Sequence, residues 1–205
     1  MAVIGLIKYG SGNFLSVLNA LQHLKLNVRV VEEPHQLRTV DKIVLPGVGA
    51  FGALMRNLEG KGFLEPLMAE VVDRRKPYLG ICVGMQIIAT LGTEFTECSG
   101  LNFIKGTVKR IPAERYNLRL PNVGWSDVSI CRSSPLFRDL GNSPCFYFVH
   151  SYYFDAADSR VVTAIVDYGE PIPVSIERDN IFGVQFHPEK SQRDGLRLLK
   201  NFGSL

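Results

Sequence analysis

Cys82 stands in a setting suited to nucleophilic chemistry. It lies in Pro77-Tyr78-Leu79-Gly80-Ile81-Cys82-Val83-Gly84-Met85-Gln86-Ile87-Ile88, an apolar run that reaches a cysteine between two glycines and continues as an amphipathic helical pattern. Glycines at 80 and 84 let a strand turn abruptly into a helix and hold the residue between them in a strained, exposed position. The spacing is that of a nucleophile elbow with cysteine in place of serine. A thiol at the mouth of a helix feels the positive end of its dipole, which favours the thiolate. Residues four apart share a helix face and lean toward its N-terminus, so Gln86 is expected to reach back toward Cys82 and hold a polar substrate. Taken alone, the stretch fits a small buried core cysteine equally well.

The far end of the chain changes that balance. Gly183-Val184-Gln185-Phe186-His187-Pro188-Glu189 closes an apolar run with an imidazole and a carboxylate two residues apart. Pro188 disfavours helix at His187, and in an extended chain alternate side chains point the same way, so His187 and Glu189 share one side. A base that takes the thiol proton, oriented by a carboxylate, is the logic of a catalytic triad in another chain order.

These residues need a frame. Ala2 to Ile7 reads as a buried strand, followed by Lys8-Tyr9-Gly10-Ser11-Gly12-Asn13 and a helix with Phe14, Val17, Leu18, Leu21 and Leu24 on one face. Asn13 is a good helix N-cap. The glycine loop has neither a full G-x-G-x-x-G nor a Walker lysine and serine, which favours a structural turn near a ligand or partner surface over a phosphate site. Val28 to Val31 and Lys42 to Leu45 are the next strands, and the second runs into Pro46-Gly47-Val48-Gly49-Ala50-Phe51-Gly52. Glycines directly after a buried strand lie at the carboxyl edge of a sheet, where open α/β folds bind ligands. Amides of this loop, with that of Val83, could stabilise an oxyanion. A turn that uses glycine only for its shape is the alternative. Helical pattern follows through Leu54 to Leu58 and Phe63 to Val72.

Strand and helix therefore alternate over about the first 90 residues, the pattern of a parallel sheet flanked by helices. After Gly92 the pattern changes to shorter strands. Phe103 to Ile111, Leu118 to Val123, Ser126 to Ile130 and Cys145 to Tyr153 suggest an antiparallel extension. Within the last, His150 is expected to make a structural hydrogen bond and Ser151 to touch a ligand. Val161 to Val166, Val174 to Glu177 and Ile181 to Phe186 supply the last strands, and Arg193 to Phe202 a closing helix. The expected architecture is α/β, a mostly parallel open sheet flanked by helices with an antiparallel extension.

Composition narrows the class. With 205 residues, 46% hydrophobic and 21% charged, the chain suits one globular domain spanning 1–205. A net charge of +3 without a Lys/Arg run argues against nucleic acid as a partner. No signal peptide or membrane-spanning stretch is visible, so no membrane is expected. Cys82, Cys98, Cys131 and Cys145 are widely spaced without a C-x-x-C pair, which fits a reduced, cytoplasmic setting better than disulfides or a structural zinc. Neither metal nor cofactor is called for.

Leu79 to Gln86 together with Gly183 to Glu189 resembles the class I, triad-type glutamine amidotransferase family, whose fold is flavodoxin-like. The Tyr9–Asn13 start, the Pro46–Gly49 loop, Val123-Gly124-Trp125, Val149-His150-Ser151-Tyr152 and Lys190-Ser191-Gln192 extend the resemblance over nearly the whole chain, within a branch that serves a histidine-pathway cyclase. Lys8 stands where most of that branch has aspartate, and Ser11 and Phe14 are also unusual. The resemblance implies that Cys82 attacks glutamine to form a thioester, with His187 as acid and base and Glu189 orienting it. It further implies an oxyanion hole from Val83 with Val48 or Gly49, and glutamine contacts at Gly49, Gln86, Ser151 and Tyr152. The implied partner is a (β/α)8-barrel cyclase that receives the ammonia, docked through Asn13, Trp125 and Lys190. Three rivals stay open: a paralogue feeding a surface-sugar amidotransferase, a stand-alone cysteine hydrolase, and a non-catalytic module of the same fold.

Overall fold

The computed structural model describes residues 2–10, 13–141 and 143–205. Its main sheet has eight strands in the order β2 (Val28–Val31), β1 (Ile4–Ile7), β3 (Lys42–Gly47), β4 (Tyr78–Cys82), β14 (Ile181–Val184), β13 (Pro171–Arg178), β12 (Val162–Asp167) and β9 (Ser129–Ile130). From β2 to β14 the neighbours run parallel, and from β14 to β9 they run antiparallel. The four residues of β1, the six of β3 and the five of β4 are all buried, as a sheet covered on both faces requires.

The cover comes from α1 (Phe14–His23), α2 (Phe51–Gly60), α3 (Leu64–Met68) and α5 (Gln192–Gly203). In α1 the buried positions are Phe14, Val17, Ala20 and Leu21, a helical stripe. α5 buries Leu198, Leu199 and Phe202. Lys42, inside β3, donates to the carbonyls of Phe202 and Gly203 at 3.1 and 2.7 Å. A cation thereby meets the negative end of α5.

Three differences from the sequence-based expectation bear on the site. First, the helix after β4 is α4 (Val83–Gln86), a single turn of four residues that is buried all round rather than amphipathic. Second, the antiparallel segments do not form one extension. β9, β12 and β13 enlarge the main sheet, β8 (Asn122–Asp127) and β10 (Cys145–His150) make a separate ribbon, and β11 (Tyr152–Ala156), β7 (Gly106–Arg110), β5 (Leu91–Gly92) and β6 (Cys98–Ser99) make a third sheet. Third, the expected strand from Cys145 to Tyr153 is broken at Ser151, because β10 and β11 leave for different sheets.

Backbone-to-backbone packing explains the glycines. A Cβ on Gly84 would lie 2.0 Å from the carbonyl oxygen of Leu45, and one on Gly80 would lie 2.3 Å from that of Gly84. Here β3, β4 and α4 touch through main chain alone. The tight turn leaves Cys82 itself at φ 55, ψ −114, a conformation that costs a non-glycine residue about 1–3 kcal/mol.

Candidate active site

Parallel strands β3, β4 and β14 end together, and a cleft of about 590 Å³ opens beside their carboxyl ends. Its lining includes Val48, Gly49, Cys82, Gln86, Ser151 and His187. Cys82 is only 5% exposed, so the elbow presents its sulfur to the cleft rather than to bulk solvent, which corrects the expectation of an exposed thiol. A one-turn helix carries little macrodipole, so its contribution to a thiolate is confined to the free amides of its first turn.

His187 reaches the same cleft from beyond β14. Its Nδ1–H donates to Glu189 Oε1 at 2.8 Å, and the side chain of Asn13 donates to that oxygen at 3.2 Å. The pairing does not arise from extended-chain alternation. His187 is extended at φ −101, ψ 92, but Glu189 lies in the 3-10 turn Pro188–Lys190. The turn is pinned because His187 N–H donates to Tyr147 O at 2.8 Å and Ser191 Oγ donates to His187 O at 2.6 Å. With Nδ1 committed, Nε2 is the nitrogen left for chemistry. It is buried and borders the cleft, and its neighbour on that side is the sulfur of Cys82, outside well-formed hydrogen-bond geometry.

Two histidines in one region take opposite charge states. Burial draws the pKa of His187 down, but pairing with the Cys82 sulfur and the Glu189 carboxylate outweighs it and raises the ring to about 10. Burial lowers His150 to about 4, only partly opposed by its bond to Tyr152, and His187 adds to the lowering. His150 is therefore a neutral structural residue, with Nδ1–H donating to Tyr152 O at 3.0 Å and Nε2 accepting from Asn122 at 3.2 Å.

The linkage signs differ between the two. His187 stabilises the fold fully below pH 6.5, its unfolded value, and loses that contribution as pH rises through about 10. His150 is protonated more readily in the unfolded chain, so stability is lost as pH falls from 6.5 through about 4, by on the order of 3 kcal/mol. We expect His150→Gln to lose stability more gently on acidification than the wild type. Denaturant titrations between pH 7 and pH 4 check this, and parallel acid limbs would contradict it.

The remaining site expectations divide. Val83 opens α4, so its N–H has no acceptor within the helix. Val48 and Gly49, the latter at φ 92, line the same cleft. Ser151 and Tyr152 also line the cleft, although the Tyr152 carbonyl already accepts from Gln86 and His150. Gln86 does not reach back to Cys82. Its Nε2 donates to Tyr152 O at 3.2 Å and to Gln185 Oε1 at 3.0 Å, which leaves its own carbonyl oxygen to offer a ligand.

Trp125 and Lys190 are exposed and flank Tyr147, with Trp125 edge-on at 4.9 Å and the Lys190 ammonium 5.5 Å from the ring centre. Asn13 does not belong with them. It is 4% exposed and turns inward to Glu189 without a side-chain cap bond, so the expectation of a helix N-cap is corrected. Ser11 and Gly12 of the glycine loop lie outside the described residues. Lys8 makes an exposed ion pair with Glu32 at 2.7 Å.

Sequence reasoning misses several residues at or behind the cleft. Gln185 donates to Cys82 Sγ at 3.6 Å, and two-residue alternation from His187 could have found it. Glu94 and Arg110 reach the rim from distant segments and leave no local signal. Among the described residues no cluster of histidine, cysteine and carboxylates could hold a metal ion.

Comparison with known proteins supplies the family. A family model described as glutamine amidotransferase class-I matches residues 6–204. The chain is 45% identical over 205 residues to the imidazole glycerol phosphate synthase subunit HisH of Moorella thermoacetica, covering 100% of this chain and 96% of that one. It is 43% identical over 207 residues to the subunit of the same name from Syntrophotalea carbinolica, covering 99% and 100%. Among solved structures, PurLQS from Thermotoga maritima superposes with a TM-score of 0.77 at 18% identity, covering 98% of each chain. A crystal structure of a glutamine amidotransferase gives 0.76 at 20% identity, covering 98% of this chain and 99% of the other. At those identities the structural likeness concerns the fold.

Proposed function

This chain belongs to the class I glutamine amidotransferase family, and from that premise we propose that it is the glutaminase subunit of an imidazole glycerol phosphate synthase. The observation that carries the reading is the His187–Glu189 pair beside the sulfur of the strained Cys82 in one cleft. The whole chain, 1–205, acts as a single glutaminase domain.

The chemistry runs in two halves. With the Cys82 proton held on His187 Nε2, the sulfur attacks the side-chain amide carbon of glutamine. The amide oxygen takes up the negative charge, held by the N–H of Val83 and an amide of the Val48–Gly49 loop. His187 then protonates the departing nitrogen as the C–N bond breaks, leaving a γ-glutamyl thioester and ammonia. Water attacks the thioester, His187 takes its proton, glutamate leaves, and the thiol is restored. Glu189 keeps Nδ1 protonated and turned throughout, and Gly49, Gln86, Ser151 and Tyr152 hold the substrate.

Ammonia released to neutral water is mostly protonated and loses its nucleophilic lone pair, so a synthesis that consumes it needs a sheltered route to a second site. We place that site on a barrel cyclase subunit docked near Trp125 and Lys190, which makes imidazole glycerol phosphate and AICAR in histidine biosynthesis. No helix among the described residues is long and apolar enough to cross a membrane, and work in the cytoplasm suits the four free cysteines.

Two assays test the proposal. Glutamine hydrolysis is measured with and without the cyclase and its nucleotide ligand, and we expect strong stimulation by the pair. Full activity of the isolated chain would count against the subunit reading. The gene should also rescue a histidine auxotroph lacking its glutaminase subunit, and rescue of a surface-sugar pathway alone would assign it to the paralogous role.

A further inference from the structure

Gln185 is a fully buried amide with both ends committed inside the active region. It follows β14, whose register sets Val184 beside Ile81 of β4, so the next step brings Gln185 alongside Cys82. Alternation puts its side chain on the same side as that of His187. Its Oε1 accepts from Gln86 at 3.0 Å, which fixes the amide so that Nε2–H points at Cys82 Sγ, 3.6 Å away. Gln86 is fixed in turn by Tyr152 O. The result is a directed chain from the wall of the cleft to the sulfur, ending in a donor.

We propose that Gln185 is a catalytic residue of this site, donating a hydrogen bond to the Cys82 sulfur that favours the thiolate and aims it at the substrate. A hydrogen bond to an ionised acceptor is roughly twice as strong as one to a neutral acceptor, so the donor acts mainly on the charged form. His187 takes the proton from one side while Gln185 supports the charge left behind from another. The inference rests on Cys82 being the nucleophile of the proposed glutaminase. Other ionisable groups bearing on the sulfur are His187, Glu189 through it, His150, and Glu94 and Arg110 at the cleft rim. The ionisable group of β3, Lys42, lies at the strand's other end on the α5 carbonyls, α4 has none, and Tyr152 lines the cleft beside Ser151. Substitution at 185 leaves all of these in place.

The test follows the alkylation of Cys82 by iodoacetamide against pH, read by peptide mass spectrometry, alongside glutamine kinetics with the cyclase present. Gln185→Met keeps length and bulk but removes the donor, together with one of the two acceptors of Gln86, which the Tyr152 carbonyl still holds. We expect its alkylation midpoint to rise by about one pH unit, with kcat roughly tenfold lower and KM within about twofold of wild type. An unmoved midpoint in a folded variant overturns the proposal. Should that variant fail to fold, the wild type decides. The Gln185 side-chain amide resonances should titrate with the midpoint of Cys82 alkylation, and their indifference to it overturns the proposal equally. A wild type inactive on glutamine would defeat the functional reading, while the alkylation comparison still tests the hydrogen bond.

Discussion

Cys82→Ala, assayed with the cyclase and its ligand present, should hydrolyse glutamine at less than about one ten-thousandth of the wild-type rate. The loss is this large because no other thiol borders the cleft among the described residues, and a thiolate is a far stronger nucleophile at neutral pH than the Ser151 hydroxyl that also lines it. Cys98, Cys131 and Cys145 do not border it, and His187 is committed through Nδ1 to Glu189. Stability should change little, by about 1 kcal/mol, since only one atom leaves a site that already opens to a cleft. Activity assays with thermal melts check both halves. Residual turnover within tenfold of wild type would mean that another nucleophile, or water directly, does the work.

Gly84→Ala should have the largest structural effect. Its added methyl would sit 2.0 Å from the carbonyl oxygen of Leu45 and 3.1 Å from the carbonyl carbon, and main chain at the end of a central parallel strand cannot move aside. We expect a loss of more than about 4 kcal/mol, or failure to accumulate as folded protein. Gly60→Ala is the control. It lies in α2 with open space around the would-be methyl, and should be neutral or slightly stabilising. Chemical denaturation of the two variants measures the contrast, and similar midpoints would refute the account of the elbow.

The elbow and the parallel half of the sheet were legible in the sequence because their determinants are local. A continuous apolar run marks a strand buried on both faces, and Gly80 and Gly84 mark a turn where main chains touch. Cys82, His187 and Glu189 could be singled out because nucleophile, base and orienter chemistry restricts the residue types. Contacts made across sheets were not legible. Nothing local distinguishes a capping asparagine from one that turns toward a carboxylate at position 189, so Asn13 was misplaced. The break at Ser151 depends on two strands joining different sheets, a choice made by tertiary packing. Gln86 was assigned to the correct cleft but to the wrong neighbour, since α4 stops after one turn and Gln185 intervenes.

The central claim is that a glutamine-shaped ligand brings its side-chain carbonyl to the sulfur of Cys82. A glutamine analogue carrying a chloromethyl ketone in place of the amide tests it most directly. Peptide mass spectrometry should find one equivalent attached at Cys82, with labelling and loss of glutaminase activity in step and both prevented by excess glutamine. Inactivation with the label on Cys98, Cys131 or Cys145, or labelling of Cys82 that glutamine does not slow, would contradict it.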